Sequence, residues 1–146
     1  MRLIIVGDGV DRQELETLAK ESNVDFVGKK PFDETIRIVS EAKSLISPSE
    51  CWETFGLAAA EAMFVGTPSV VANLGGLPDI VQNGRFGEIF EAGNAEACAA
   101  AIERLLSRPD YDEMCAAAKR EAETKYSEEA NYGQLMEIYE DLIERL

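Results

Sequence analysis

Histidine is absent from this 146-residue chain, and that absence is the first constraint on its chemistry. No imidazole is available for a Ser-His-Asp or Cys-His centre, and the usual zinc sites are excluded with it. The three cysteines, Cys51, Cys98 and Cys115, cannot pair completely and lie too far apart in sequence for metal-ligand spacing. They suit a reducing compartment, so a cytoplasmic setting is expected. No apolar run approaches the roughly 20 residues of a membrane span, and Met1-Arg2 leads straight into a strand-like segment rather than a signal peptide. Basic residues are also scarce, 14 against 28 acidic ones, for a net charge of −14. A field of that sign repels nucleic-acid backbones and anionic leaflets, so neither is an expected partner. An anionic small ligand would need a local device, such as the free amides at a helix start.

What is present is one sizeable core. Hydrophobic residues make up 46% of the chain, and its length is common for one domain. Strand and helix signals then alternate. Arg2–Gly7 reads as a short buried strand ending in glycine. Asp11 is placed to cap a helix to about Glu21, with Glu14 three residues on and Val10 and Leu15 as a hydrophobic staple. Val24–Gly28 is a second strand, and Asp33 is placed to cap a helix to about Ala42. Ser44–Ser47 is a third strand, followed by a helix over about Phe55–Val65 and a fourth strand at Ser69–Ala72. Gly75-Gly76 reads as a flexible turn before a short segment through Val81, and Gly87–Phe90 is a fifth strand.

This alternation implies βαβ crossovers and an α/β fold of three layers, α/β/α, around a mostly parallel sheet. Ligands of such sheets sit beyond the carboxyl ends of the strands. The loops Gly7–Asp11, Gly28–Phe32, Pro48–Phe55 and Asn73–Leu77 are therefore expected around one crevice. The α/β core occupies about residues 1–108 of a single domain, and the helical tail occupies 109–146. In that last third, Asn94 caps a helix with an apolar stripe of Cys98, Ile102, Leu105 and Leu106. A helix from about Tyr111 to Lys125 follows. Ser127 caps the last one, whose wide stripe is Leu135, Ile138, Tyr139, Leu142 and Leu146.

Several motifs lead nowhere specific. Gly7-Asp8-Gly9 after the first strand invites a dinucleotide reading, but the third glycine of that fingerprint would fall at Arg12. A tight strand-to-helix turn explains it as well. A phosphoacceptor receiver domain needs an aspartate after the third strand, where Ser47-Pro48-Ser49 stands instead. Asp110-Tyr111-Asp112 has the spacing of a metal–diphosphate acid pair, yet it opens a helix in the acidic tail and reads as a cap with a neighbour.

The stretch from Glu53 to Glu61 carries more. From Phe55 to Val65 every residue except Glu61 is apolar or glycine, so this helix is expected to be buried nearly all round. Leu57, Phe64 and Val65 flank Glu61 at i−4, i+3 and i+4. Its carboxylate must be paired inside the fold, neutral, or open to a ligand crevice, because an unpaired buried charge costs on the order of several kcal/mol. Glu53 stands just before the helix start, beside the free amides of Phe55, Gly56 and Leu57. Eight residues at helical rise put the two carboxylates about 12 Å apart. An anion on those amides would lie between two acids able to bind hydroxyl groups. Hydroxyl, diphosphate, hydroxyl is the layout of a nucleotide sugar.

Pro48-Ser49, Glu53-Thr54-Phe55-Gly56-Leu57-Ala58-Ala59-Ala60-Glu61-Ala62-Met63 and Gly66-Thr67-Pro68-Ser69-Val70-Val71-Ala72 resemble the retaining glycosyltransferases of family 4, the glycosyl transferases group 1. Their signature is a glutamate, seven residues and a second glutamate. Leu3–Gly9, Phe26-Val27-Gly28, Gly75–Val81 and Asn83–Gly87 match the same family in order, so the resemblance runs from Leu3 to about Leu106. Thr54 replaces the commoner glycine.

The resemblance implies a GT-B enzyme built of two Rossmann-like halves, of which this sequence is similar to the C-terminal, donor-binding one. It implies transfer of a hexose-type sugar from a nucleotide sugar, with no cofactor and no metal. Glu53 would be the catalytic-centre acid on the donor-sugar hydroxyls, Phe55, Gly56 and Leu57 would supply amides, and Glu61 would bind ribose hydroxyls. Val27, Lys29 and Lys30 would face the nucleobase or phosphate, although two adjacent lysines are also an ordinary solvated pair. The family's arginine–lysine pair, which neutralises the leaving diphosphate, has no counterpart here. A separate N-terminal acceptor-binding half is an implied partner, the isolated chain is expected to be inactive, and the last helix can support self-association. A non-catalytic nucleotide or nucleotide-sugar binding module, and an excised or engineered structural domain that keeps only the fold, stay open beside the enzyme reading.

Overall fold

The computed structural model describes residues 1–145. Its elements run β1 (Leu3–Val6), α1 (Arg12–Leu18), β2 (Val24–Gly28), α2 (Phe32–Glu41), β3 (Leu45–Ser47), α3 (Leu57–Phe64), β4 (Ser69–Ala72), α4 (Leu77–Val81), β5 (Gly87–Phe90), α5 (Ala95–Leu106), α6 (Tyr111–Lys125) and α7 (Glu128–Glu144). The expected α/β alternation is what the chain adopts. Every strand pair is parallel, and the strands form a two-stranded sheet β1-β2 and a three-stranded sheet β3-β4-β5. The chain divides into two compact units, Met1–Ile38 and Val39–Leu146.

In the first unit, β1 and β2 pair from Leu3↔Val24 to Val6↔Gly28, and the Gly7 amide extends the ladder to the Gly28 carbonyl at 2.9 Å. Arg12, where the dinucleotide fingerprint wants glycine, donates from Nη2 to the Phe26 carbonyl at 3.3 Å and from Nε to Glu16 at 2.7 Å. Gly7-Asp8-Gly9 is thus a structural turn, with the Asp8 carboxylate accepting from the Gly9 amide. Two local expectations fail. Val10 is 97% exposed, so no staple forms, and Asp11 holds the cap position of α1 without a side-chain hydrogen bond. Helix α2 begins at Phe32, one residue before the expected cap Asp33, because the Pro31 carbonyl already accepts the Thr35 amide and hydroxyl. No residue of this unit is fully buried.

The second unit holds the core. Its strand β4 is central and buried at all four residues, as a parallel strand covered on both faces should be. One apolar cluster joins Ala59, Ala60 and Met63 of α3 to Leu77 and Ile80 of α4 and Ala118 and Ala122 of α6. A second joins Val70 and Ala72 to Phe90, Ala101, Leu105 and Met114. Asn94 caps α5 through the Ala97 amide at 2.9 Å, and Ser127 caps α7 through the Ala130 amide at 3.2 Å, both as the sequence predicts.

Asp110 occupies the cap position of α6, but its carboxylate turns to Arg108, which donates to it from Nε at 3.0 Å and Nη2 at 2.7 Å. Those bonds hold the Asp110 carboxyl below its ordinary range. The Tyr111 hydroxyl donates to the Lys43 carbonyl, and burial pushes it up to about 12. Both residues are therefore occupied in packing the helix. On α7 the stripe Leu135, Ile138, Tyr139 and Leu142 stands exposed; Leu146, its expected last member, lies outside the described residues. No described helix is long and apolar enough to cross a membrane.

Candidate functional site

In the second unit, two loops leave the carboxyl ends of adjacent parallel strands. One, residues 48–56, connects β3 to α3; the other, residues 73–76, connects β4 to α4. They are joined backbone to backbone. The Gly76 amide donates to the Glu53 carbonyl at 2.8 Å, and a Cβ built on Gly75 would stand 2.1 Å from that same oxygen. Gly75 also has φ +60, so only glycine meets both demands. Gly75-Gly76 is therefore not the flexible turn that the sequence suggests. It is the rail against which the Glu53 segment lies.

The Glu53 side chain is fixed separately. Ser49 donates from Oγ to Glu53 Oε1 at 3.0 Å, and the acid is half-buried. One carboxylate oxygen is thereby oriented, while the other accepts from no described residue. Such a group is ready to accept from a ligand hydroxyl, because its own ordering has already been done within the loop.

Gly56 then turns the chain into α3. Its φ is +90 and ψ +48, and a Cβ there would meet Leu77 Cδ2 at 2.8 Å. This left-handed residue delays the helix to Leu57, so helical rise does not apply between Glu53 and Gly56. The 12 Å spacing derived from a continuous helix does not carry over. The Ala59 and Ala60 amides close on the Gly56 carbonyl at 3.0 and 3.2 Å, while the Leu57 and Ala58 amides donate to no described backbone carbonyl. Two free donors at a helix start form an anion-favouring end. Phe55 sits beside them, its ring edge-on to Tyr126 at 5.5 Å.

Burial of α3 is one-sided rather than complete. Ala59, Ala60, Ala62 and Met63 are buried, Leu57 and Ala58 are exposed, and Glu61 is half-buried. The reason is that α6 and α4 cover only the faces named above. Among the described residues nothing bonds the Glu61 carboxylate, so the internally paired structural acid is not what the fold builds. Glu61 is half-wet, with its carboxylate open.

The remaining candidates lie in the first unit. Val27 is within β2, half-buried, rather than in the loop after it. Lys30 pairs with Glu34 at 2.9 Å, four residues on, and Lys29 is exposed. The structure thus gathers Glu53, Phe55, Gly56, Leu57 and Glu61 on one loop and helix of the second unit. Ser49, Gly75 and Gly76 are the positioning residues that sequence reasoning passed over. The serine four residues before the acid, and two consecutive glycines two residues beyond a buried strand, were the available signals.

A parallel α/β unit with an oriented acid and open helix amides at the carboxyl edge of its sheet is the build of a Rossmann-like domain. The family model for glycosyl transferases group 1 matches residues 1–124, and the chain belongs to that family. Among curated proteins it is 35% identical over 128 residues to the sulfoquinovosyl transferase of Arabidopsis thaliana, covering 86% of this chain and 25% of that protein. It is 34% identical over 141 residues to the D-inositol 3-phosphate glycosyltransferase of Corynebacterium urealyticum, covering 93% and 33%. Among solved structures, the sucrose-phosphate synthase of Thermosynechococcus elongatus superposes with a TM-score of 0.83 at 29% identity, covering 99% of this chain and 39% of that one. The Anabaena HepE protein in complex with UDP has the same fold at a TM-score of 0.83 and 22% identity, covering 97% and 41%. The α/β fold is that of the GT-B glycosyltransferases, and the chain spans between 25% and 41% of the length of these four proteins.

Proposed function

We propose that this chain is the nucleotide-sugar-binding half of a retaining family 4 glycosyltransferase, acting on a hexose-type donor without a bound metal. The observation that carries this reading is the Glu53 carboxylate, oriented by Ser49 at 3.0 Å on a loop that leads into the free Leu57 and Ala58 amides. In this reading Glu53 accepts from the donor-sugar hydroxyls, and the amides of the Phe55–Ala58 turn hold the diphosphate. Glu61, one helical turn on from Leu57, accepts from the ribose hydroxyls. Stabilising the departing diphosphate is a large part of the chemistry, and two amides supply only about half a unit of positive charge. Transfer therefore requires cations and an acceptor-positioning half beyond the groups described here.

Titration of the chain with UDP, GDP and ADP and their hexose conjugates, followed by amide NMR shifts, tests the reading. Micromolar to millimolar affinity, about −8 to −4 kcal/mol, is expected for at least one base, with shifts centred on residues 53–61. Shifts that avoid those residues for every ligand would sink it. Turnover of a radiolabelled nucleotide sugar by this chain alone, abolished by Glu53→Ala, would make it a complete minimal enzyme instead.

A further inference from the structure

Trp52 is the only tryptophan of the chain, and it stands 76% exposed. An indole is among the largest apolar surfaces a side chain offers, and exposure to this extent forgoes most of the burial that usually holds it inside. It takes no part in either apolar cluster of the second unit. Phe55, the other large aromatic of the loop, is engaged with Tyr126, so no described ring contact holds the indole. Yet the backbone that carries Trp52 is not loose. The adjoining Glu53 carbonyl is bonded by the Gly76 amide, and the Glu53 carboxylate by Ser49.

We propose that Trp52 is a binding residue for the sugar ring of the donor, stacking its indole on the ring's C–H face. The proposal rests on the donor-site reading of Glu53. A pyranose presents hydroxyls around its rim and C–H groups on its faces. Recognition therefore calls for two chemistries at one place: a charged acceptor for the rim and a flat apolar surface for the face. Glu53 supplies the first, and the residue immediately before it supplies the second. The indole N–H adds a donor for a rim hydroxyl. With only two rotatable side-chain bonds, a tryptophan on a fixed backbone loses little freedom when it stacks. A nucleoside diphosphate without its sugar leaves this surface uncovered, so Trp52 separates donor from product.

Because the chain holds one tryptophan, its emission excited near 295 nm reports this ring alone. The probes are UDP-glucose, GDP-mannose and ADP-glucose, each beside its sugar-free diphosphate, with amide shifts of residues 53–61 read on the same samples. The sugar conjugate that moves those amides is expected to shift or quench the emission, while its diphosphate moves the amides and leaves the emission unchanged. Trp52→Ala should weaken the conjugate about fivefold to tenfold and the diphosphate less than twofold, and Trp52→Phe should restore most of the loss. Amides that respond to a conjugate while the emission stays constant overturn the stacking role alone. Amides that respond to no probe overturn the donor-site reading and the stacking with it. A blue shift on concentrating the ligand-free chain assigns the ring to contact between copies, and also overturns the proposal.

Discussion

Gly75→Ala is expected to destabilise the chain by about 2–5 kcal/mol and to abolish whatever the Glu53 loop binds. Two costs combine. The first is the left-handed conformation at φ +60, about 1–2 kcal/mol for a residue with a Cβ. The second is overlap of that Cβ with the Glu53 carbonyl oxygen at 2.1 Å, which either loop must move to relieve, on the order of 1–3 kcal/mol. Gly93 is the internal control. It too has positive φ, +74, but nothing lies within 4 Å of its added Cβ, so Gly93→Ala should show the conformational cost alone. Urea denaturation of the two variants separates the terms as a difference in midpoint at constant slope. If both midpoints fall equally, the loop gives way freely and Gly75 is not what positions Glu53.

Glu61→Gln is expected to leave the melting temperature unchanged or slightly raised, and to weaken nucleotide binding about tenfold to a hundredfold. The first half follows from the unpaired, half-buried carboxylate: neutralising it removes a desolvated charge and breaks no described bond. The second follows from the value of a hydrogen bond to a charged acceptor, about 1.5–3 kcal/mol. Melting curves with and without nucleotide check both halves together. A variant that melts several degrees lower and binds as before assigns Glu61 to the fold, against the ribose role.

The alternation of strands and helices was legible because the strands are short apolar runs, the first three of them closed by Gly7, Gly28 and Pro48, and all five strands lie where those runs are. The caps at Asn94 and Ser127 were legible for a local reason, since an N-cap bond spans three residues. What escaped was non-local. The contact between Glu53 and Gly75 joins residues 22 apart, and no periodicity encodes it; two glycines in sequence look like freedom when they are in fact close approach. The later start of α3 escaped because Gly56 in a left-handed conformation is indistinguishable in sequence from an ordinary first-turn glycine. The all-round burial expected for α3 failed because an apolar composition shows what can be buried, and not which faces find a neighbour. Leu57 at 63% exposure did not find one. The division of the strands into two ladders belongs to the same class, since strand order is set by crossovers and not by strand composition.

The joining of the two loops through main-chain atoms bears on how such a protein changes over time. The Gly76 amide and the Glu53 carbonyl bond identically whatever side chains stand at positions 52, 54 and 57, all of which are exposed. Substitutions there are of the surface kind, usually within about 0.5 kcal/mol of neutral. In the donor-site reading, stability and substrate scope are thus carried by different atoms of the same short segment. New side-chain chemistry can be tried beside a fixed carboxylate without reopening the question of whether the chain folds. An acid held by glycines and a serine is, in that sense, a socket whose rim can be exchanged.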